Sequence, residues 1–416
     1  MHLLPPAVAL VLVGTWLGVQ QLSISALQAE IGMLRKHMAA ARLVAPAGDA
    51  AHAKTAAADT LAQDRGPRDW VKLAGIAAEM QKSAGIGDLR AMVRMQQRLQ
   101  AMSRDELVAA LDELAAAELP AAARALLEPL LVGPLIAQDP ALVLARFTDR
   151  LGGPDEAMEQ QLADALKAWA TSDSRKAAAW FDQQIAAGKF DSTALSGKSQ
   201  QRLQFESALL GVLLTADPAA AAGRLAALPA DQRADAIGNA PLSAPTKQNL
   251  TTFARLVRSQ VPAAEQAGAF ARQAGQWAAQ GGYGKATEYL DAIKISAEER
   301  IACVEQAVAT HLFSNNRKLV SADLDSLRAW VTSQAPQVTA SVTGKVLCTA
   351  ALDKDKLTFA EAAELAMQYR KASGNDEVLA SFVENWGARS NKEEARDLAA
   401  QITDAKRRAE VLKLLE

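Results

Sequence analysis

Apolar positions in this chain recur at helical spacing over most of its length. Leu162, Ala165, Leu166, Trp169 and Ala170 fall at i, i+3, i+4, i+7 and i+8, the pattern of one buried stripe on a helix. That helix stops near Ser172, and Asp173 follows as a cap. Its carboxylate can accept hydrogen bonds from amides left free in a first helical turn, and its charge suits the positive end of a helix dipole. A second helix then begins through Ala177, Ala178, Ala179, Trp180 and Phe181.

Three positions of this stretch recur together: the start of the first helix, a bulky apolar residue eleven later, and a capping residue four beyond that. They are Met158, Trp169 and Asp173; Arg124, Leu135 and Asp139; Arg202, Leu213 and Asp217; Gln266, Trp277 and Gly281; Arg300, His311 and Asn315; and Asn375, Trp386 and Ser390. Eight residues past the cap stand Phe147, Phe181, Leu225, Tyr289 and Leu398, with Asp323 in the Asn315 set. Pro140 and Pro218 follow their Asp caps at the first helical position, where the missing amide costs nothing. Ser103 with Glu106, Ser296 with Glu299, Thr358 with Glu361 and Ser390 with Glu393 have the spacing of capping boxes.

Successive caps lie 34, 44, 64, 34 and 75 residues apart. Each long gap has room for two periods, one holding a unit around Arg233 to Gln248 and the other a unit capped near Asp353. One helix pair cannot hide both of its apolar faces, whereas stacked pairs hide each other's. The expected fold class is therefore all-α: an α-solenoid of about eight antiparallel helix pairs within residues 70–416, preceded by a single transmembrane helix. Leu135, Trp169, Leu213, Trp277, His311 and Trp386, with Phe181, Leu225, Tyr289 and Leu398, are then repeat markers that pack between helices. Asp139, Asp173, Asp217, Asn315 and Ser390 are caps.

The N-terminal pattern differs. No acidic or basic side chain other than His2 precedes Glu30. Residues 1–26 are long enough to cross a hydrocarbon core, which needs about 20 apolar residues. They read as an uncleaved anchor. The other reading is a cleaved signal peptide with Ser23 and Ser25 before the cut, but its basic n-region is missing. Ile24, Leu27, Ile31, Leu34, Met38 and Ala41 keep 3-4 spacing, so residues 27–43 continue as a stalk helix. The seam through 24–41 is either a short parallel coiled coil giving a weak homodimer or a stalk with no partner. Residues 44–69, Ala-rich with Pro46, Gly48, Gly66 and Pro67, form a flexible linker. Arg35, Lys36 and Arg42 lie just past the span, which leans the soluble part toward the cytoplasmic side.

Composition narrows the chemistry. Half of the 416 residues are apolar, few of them aromatic, and the formal net charge is -2. That mixture favours helices and offers no basic surface for nucleic acid. Cys303 and Cys348 are too few for a disulfide framework and lack the paired spacing of a zinc site. His2, His37, His52 and His311 form no ligand cluster, and no metal or cofactor is expected. Nucleophile elbows and phosphate loops are missing. Gly281-Gly-Tyr-Gly284 is the one glycine-dense spot, either an anion-binding loop or, at its capping position, a corner between helices. Cys303 and His311 lie two turns apart on one predicted helix, about 12 Å along its axis, too far for a dyad.

Trp169-Ala-Thr-Ser-Asp173-Ser-Arg-Lys-Ala177-Ala178 resembles the Trp-Ala-x-x-Asp-Pro-x-Ala-Ala pattern of bacterial N-terminally membrane-anchored α-helical-repeat proteins, which share the shape of tetratricopeptide and Sel1-like arrays. The resemblance covers residues 120–230 and 262–416. Asp173 lacks the following Pro, Asp139 and Asp217 lack the Trp, and the tetratricopeptide consensus itself is not matched. The resemblance implies little about activity; from the helical-repeat architecture and the N-terminal span the expected protein is a single-pass protein of the bacterial inner membrane whose solenoid surface binds a protein or peptide as a scaffold, without catalysis. The resemblance brings no catalytic residues. The alternative is an envelope, cell-wall-related enzyme or enzyme subunit with a superhelical support; its module would have to lie in residues 235–260 or 318–372.

Overall fold

In the computed structural model, the residues described are 96–151, 153, 155–192, 197–242, 246–313, 318–353, 356–390 and 392–415. The expected anchor (1–26), stalk (27–43), linker (44–69) and Asn315 lie outside them. Among the described residues all regular structure is helical and there is no strand. Two compact units divide the chain at Val212 and Leu213.

The first unit holds α1 (Arg104–Ala116), α2 (Ala121–Gln138), α3 (Pro140–Phe147), a 3-10 turn (Thr148–Arg150), α4 (Glu156–Ser172), α5 (Ser174–Ala186) and most of α6 (Gln200–Ala216). Helix α1 opens on a reciprocal box between Ser103 and Glu106 and buries Leu107, Ala110, Leu111 and Leu114. Helix α2 is by length and composition apolar enough to cross a membrane. Here it packs against α1, α3 and α4. Its two prolines, Pro129 and Pro134, leave carbonyls of the preceding turn without their usual amides. The charges on α2 are also absorbed. Arg150 grips the buried Glu128 with both guanidinium nitrogens, and Arg124 donates to Ala117 O at 3.1 Å. Phe181, Phe190 and Phe205, all buried, meet at centroid distances of 5.0 to 5.7 Å and join α5 to α6. Burying each ring contributes roughly 1.5–3 kcal/mol.

The second unit continues through α7 (Pro218–Ala227), α8 (Ala230–Gly238), α9 (Lys247–Gln260), α10 (Ala263–Ala292), α11 (Ala297–Phe313) and α12 (Ser321–Gln334). A 3-10 turn (Pro336–Val338) leads to α13 (Thr339–Ala351), α14 (Phe359–Ser373), α15 (Glu377–Arg389), α16 (Lys392–Ala399) and α17 (Ala405–Leu414). Helix α10 is broken in two at Gly281 and Gly282, the latter at φ 68, a conformation that only glycine adopts at little cost. Neighbours in sequence pack together, and so do helices two apart: α8 on α10, α7 on α9, α13 on α15 and α15 on α17. The fully buried Gln273 ties α10 to the end of α8, donating to Gly238 O at 3.0 Å and to Ala240 O at 2.6 Å.

Side-chain hydrogen bonds between successive helix pairs span similar lengths of chain in both units. Arg104–Asp139 spans 35 residues, Arg146–Asp112 34 and Gln204–Gln160 44 in the first. Gln260–Ala222 spans 38, Arg258–Glu299 41, Trp330–Thr287 43 and Lys345–Glu305 40 in the second.

Candidate functional site

Three aspartates form nearly identical corners. Asp139 (φ -148, ψ 77), Asp173 (φ -149, ψ 85) and Asp217 (φ -150, ψ 83) each accept the amide three residues on, at 3.0, 3.1 and 3.0 Å. Each also donates its own amide, at 2.8 Å, to the carbonyl four residues back, on Leu135, Trp169 and Leu213. Ala335 takes the same conformation (φ -153, ψ 72), donates to Val331 O at 2.7 Å and is followed by Pro336. Ser390 likewise donates to Trp386 O at 2.8 Å, at φ -136 and ψ -82. Near Asp353 the chain makes the turn between α13 and α14, in which Lys356 N–H donates to Asp353 O at 2.8 Å.

Of the apolar markers, Leu135, Phe181, Leu213, Leu225, Tyr289, Trp277 and Trp386 are buried. Leu398, His311 and Trp169 are half-buried. At Trp169 the deep positions are taken by Leu166 and Ala170 instead. Its indole leans on that of Trp180, also half-buried, with centroids 6.4 Å apart and planes at 56°.

A cleft of about 200 Å³ lies beside the broken α10, lined by Tyr283, His311, Lys318, Leu319, Asp323 and Ser326 among others. Gly282 builds it. A Cβ there would stand 3.3 Å from His311 Cε1, so glycine lets the corner close on the imidazole. The Tyr283 ring stacks on Trp330 at 4.7 Å and meets His311 edge-on at 4.6 Å. Trp330 is fixed in turn by its Nε1–H, which donates to Thr287 Oγ1 at 2.9 Å. The Tyr283 hydroxyl is buried with no hydrogen-bond partner, and burial, with the nearby Asp323 charge, pushes its pKa far above the usual phenol value.

The charged groups at this cleft are engaged. Lys318 Nζ donates to Glu361 Oε1 at 2.7 Å, and that contact, with the Thr358 amide and hydroxyl, lowers the Glu361 carboxyl to about 2. Asp323 accepts the Val320 amide at 3.1 Å, opening α12. Cys303 is fully buried on α11, and desolvation, with the Glu299 charge, pushes its thiol up to about 12, so it stays protonated at neutral pH. The arrangement joins α10, α11 and α12 mechanically and offers neither a thiolate nor a phenolate.

Sequence reasoning missed Tyr283 as the partner of both His311 and Trp330. The signal was the glycine-dense run around Tyr283, which marks a close backbone approach without saying to what. No protein-family model matches the chain, and neither a curated protein nor a solved structure does.

Proposed function

We propose that this chain is a membrane-tethered helical-repeat scaffold that binds another protein or peptide and performs no catalysis of its own. The observation that carries the reading is the recurrence of one corner geometry at Asp139, Asp173, Asp217 and Ala335. A recurring set of hydrogen bonds between helices supports it, among them Arg146–Asp112 and Gln204–Gln160, which span 34 and 44 residues, the intervals that separate the aspartate corners. Units tied only to their neighbours in this way build an α-solenoid, here of about eight pairs, with much surface for its length. Residues 235–260 and 318–372, the stretches large enough for a separate module, are occupied by α8 and α9 and by α12 to α14. The anchor, stalk and linker over 1–69 would hold the array at the bacterial inner membrane, with the lean toward the cytoplasmic side resting on Arg35, Lys36 and Arg42.

Proximity labelling from a C-terminal fusion tests the reading. A discrete set of protein neighbours, enriched over a control fusion carrying only residues 1–69, is the expected result. A labelled set indistinguishable from that control would sink it.

A further inference from the structure

We infer that α17 is a strap latched by charge: it lifts off α15 while the rest of the second unit stays folded, and lifting uncovers the paired carboxylates of Glu377 and Glu384. Little apolar surface seats this helix. Of its ten residues only Val411 is buried, with Leu415 just beyond it, while Leu414 stands 67% exposed. The neighbouring α15 buries Val378, Leu379, Phe382 and Val383 completely. Two aliphatic side chains are a small anchor against the conformational freedom that a helix regains on opening.

Charged contacts supply the hold. Arg407 donates Nε to Glu377 Oε2 at 2.9 Å and Nη2 to Glu377 Oε1 at 3.0 Å. The same guanidinium donates Nη1 to Glu384 Oε1 at 2.7 Å and Nη2 to Glu384 Oε2 at 3.0 Å. Glu377 and Glu384 lie two helical turns apart and share one face of α15, where Ser381 donates its hydroxyl to Glu377 Oε1 at 2.8 Å. Glu410, 3.7 Å from Arg407, belongs to α17 and moves with it. Past the last turn, Arg396 of α16 donates to Leu415 O at 2.6 Å. The other end is a pivot. Thr403 Oγ1 and the Asp404 amide both donate to Asp376 Oδ2 at 2.6 Å, and Arg370 holds Asp376 at 2.7 Å. The latch is partly solvated, with the Arg407, Glu377 and Glu384 side chains 24%, 34% and 21% exposed, so dissolved ions screen it. The apolar contacts of α15 are not weakened in that way. Lifting α17 bares a face carrying Glu377, Ser381 and Glu384, groups that water solvates, so the opening is local.

The test is hydrogen–deuterium exchange of the full-length protein in nanodiscs, followed by mass spectrometry in low and high salt. Between about 0.1 M and about 1 M NaCl the screening length falls from about 10 Å to about 3 Å. Amides of α17 should then exchange about tenfold faster, and those of α15 less than about twofold faster. Arg407→Met keeps much of the apolar stem and removes the latch, so α17 should exchange quickly in both salts, without salt dependence and with the melting temperature unchanged. Glu384→Gln, a milder change, should speed α17 severalfold and reduce its salt dependence. Exchange of α17 as slow as that of α15 in both salts, equal acceleration of the two helices, or wild-type salt dependence in Arg407→Met would overturn the inference. So would an Arg407→Met protein that fails to fold or melts as low as Phe382→Ala, since α17 would then belong to the core.

Discussion

Gly344 on α13 faces the backbone of α15, and adding one methyl group there tests how tightly these helices are packed. A Cβ at this position would run into Val378 O, stand 2.8 Å from Phe382 N and lie 2.9 Å from Ser381 Cβ. Two of these atoms are backbone and cannot rotate away, so the helices would have to part by roughly 1 Å to restore ordinary contact distances near 3.5 Å. Parting them also loosens Leu347, Val378 and Phe382, all fully buried. Overpacking of this kind costs about 1–3 kcal/mol, and rigid backbone neighbours place Gly344→Ala at about 3. Alanine's better helix propensity returns about 1 kcal/mol, leaving a net loss of about 2. In a unit of this size that lowers the melting temperature by roughly 4–8 °C. Gly223→Ala on α7 is the matched control, because that glycine is exposed and a Cβ there meets nothing within 4 Å. It should gain about 0.5–1 kcal/mol from propensity alone. Calorimetry of the two variants reads opposite signs if the packing argument is right. Shifts of the same sign would refute it.

Two further outcomes follow from buried groups. Cys303 and Cys348 are both fully buried, so iodoacetamide at neutral pH should label neither in the native protein and both after unfolding in urea; rapid native labelling of Cys303 would contradict its raised thiol pKa. The Glu299 carboxylate is held below its ordinary value near 4.5, first by Arg258 and then by the Ser296 amide and hydroxyl, against the desolvation that opposes it. A depressed carboxylate stabilises the fold above its unfolded pKa, and the contribution is lost as pH falls through the folded value. Glu299→Gln should therefore cost about 2 kcal/mol at pH 7, less than a wholly buried pair because the Arg258 side chain is 40% exposed, and the variant's stability should fall less steeply than wild type below pH 4.5. Parallel acid denaturation curves for the two proteins would exclude this role.

What could be read from the sequence was what local chemistry specifies. Helical spacing marked the helices, and Asp-Pro at residues 139–140 and 217–218 marked two corners. The boxes at Ser103, Ser296 and Thr358 form as written. The corner at Ala335 was invisible because alanine carries no capping atom; backbone bonds define it, its amide donating to Val331 O and its carbonyl accepting from Val338. Trp169 lies less deep than its spacing suggests, for a different reason. An aromatic residue at a helical spacing suggests depth, but a stripe that drifts around the helix leaves its edge positions partly in solvent, and here Leu166 and Ala170 took the interior. The contacts of Tyr283 with His311 and Trp330 depend on where Gly282 sends the chain, which a one-residue pattern does not encode.

The corner at Ala335 also bears on what holds the other corners. If backbone bonds and the following Pro336 suffice there, the Asp side chains elsewhere add stability without specifying the turn. Asp217 is exposed and caps Ala220 alone, so Asp217→Ala should cost about 1 kcal/mol and leave helix content unchanged by circular dichroism. Asp139 additionally accepts from Arg104 Nε at 2.7 Å and so reaches α1. That pair is partly solvated, with side chains 48% and 28% exposed, so it adds little. Asp139→Ala should then cost somewhat more than Asp217→Ala, and Arg104→Met should destabilise by no more than the difference between the two alanine variants. The Arg104 contact, with the Leu142 amide behind it, holds the Asp139 carboxyl below its ordinary value near 3.8, so this increment should be present at neutral pH and disappear as pH falls through that lowered value. Loss of both flanking helices in Asp217→Ala would mean that the carboxylate specifies the corner, and the backbone account drawn from Ala335 would have to be given up.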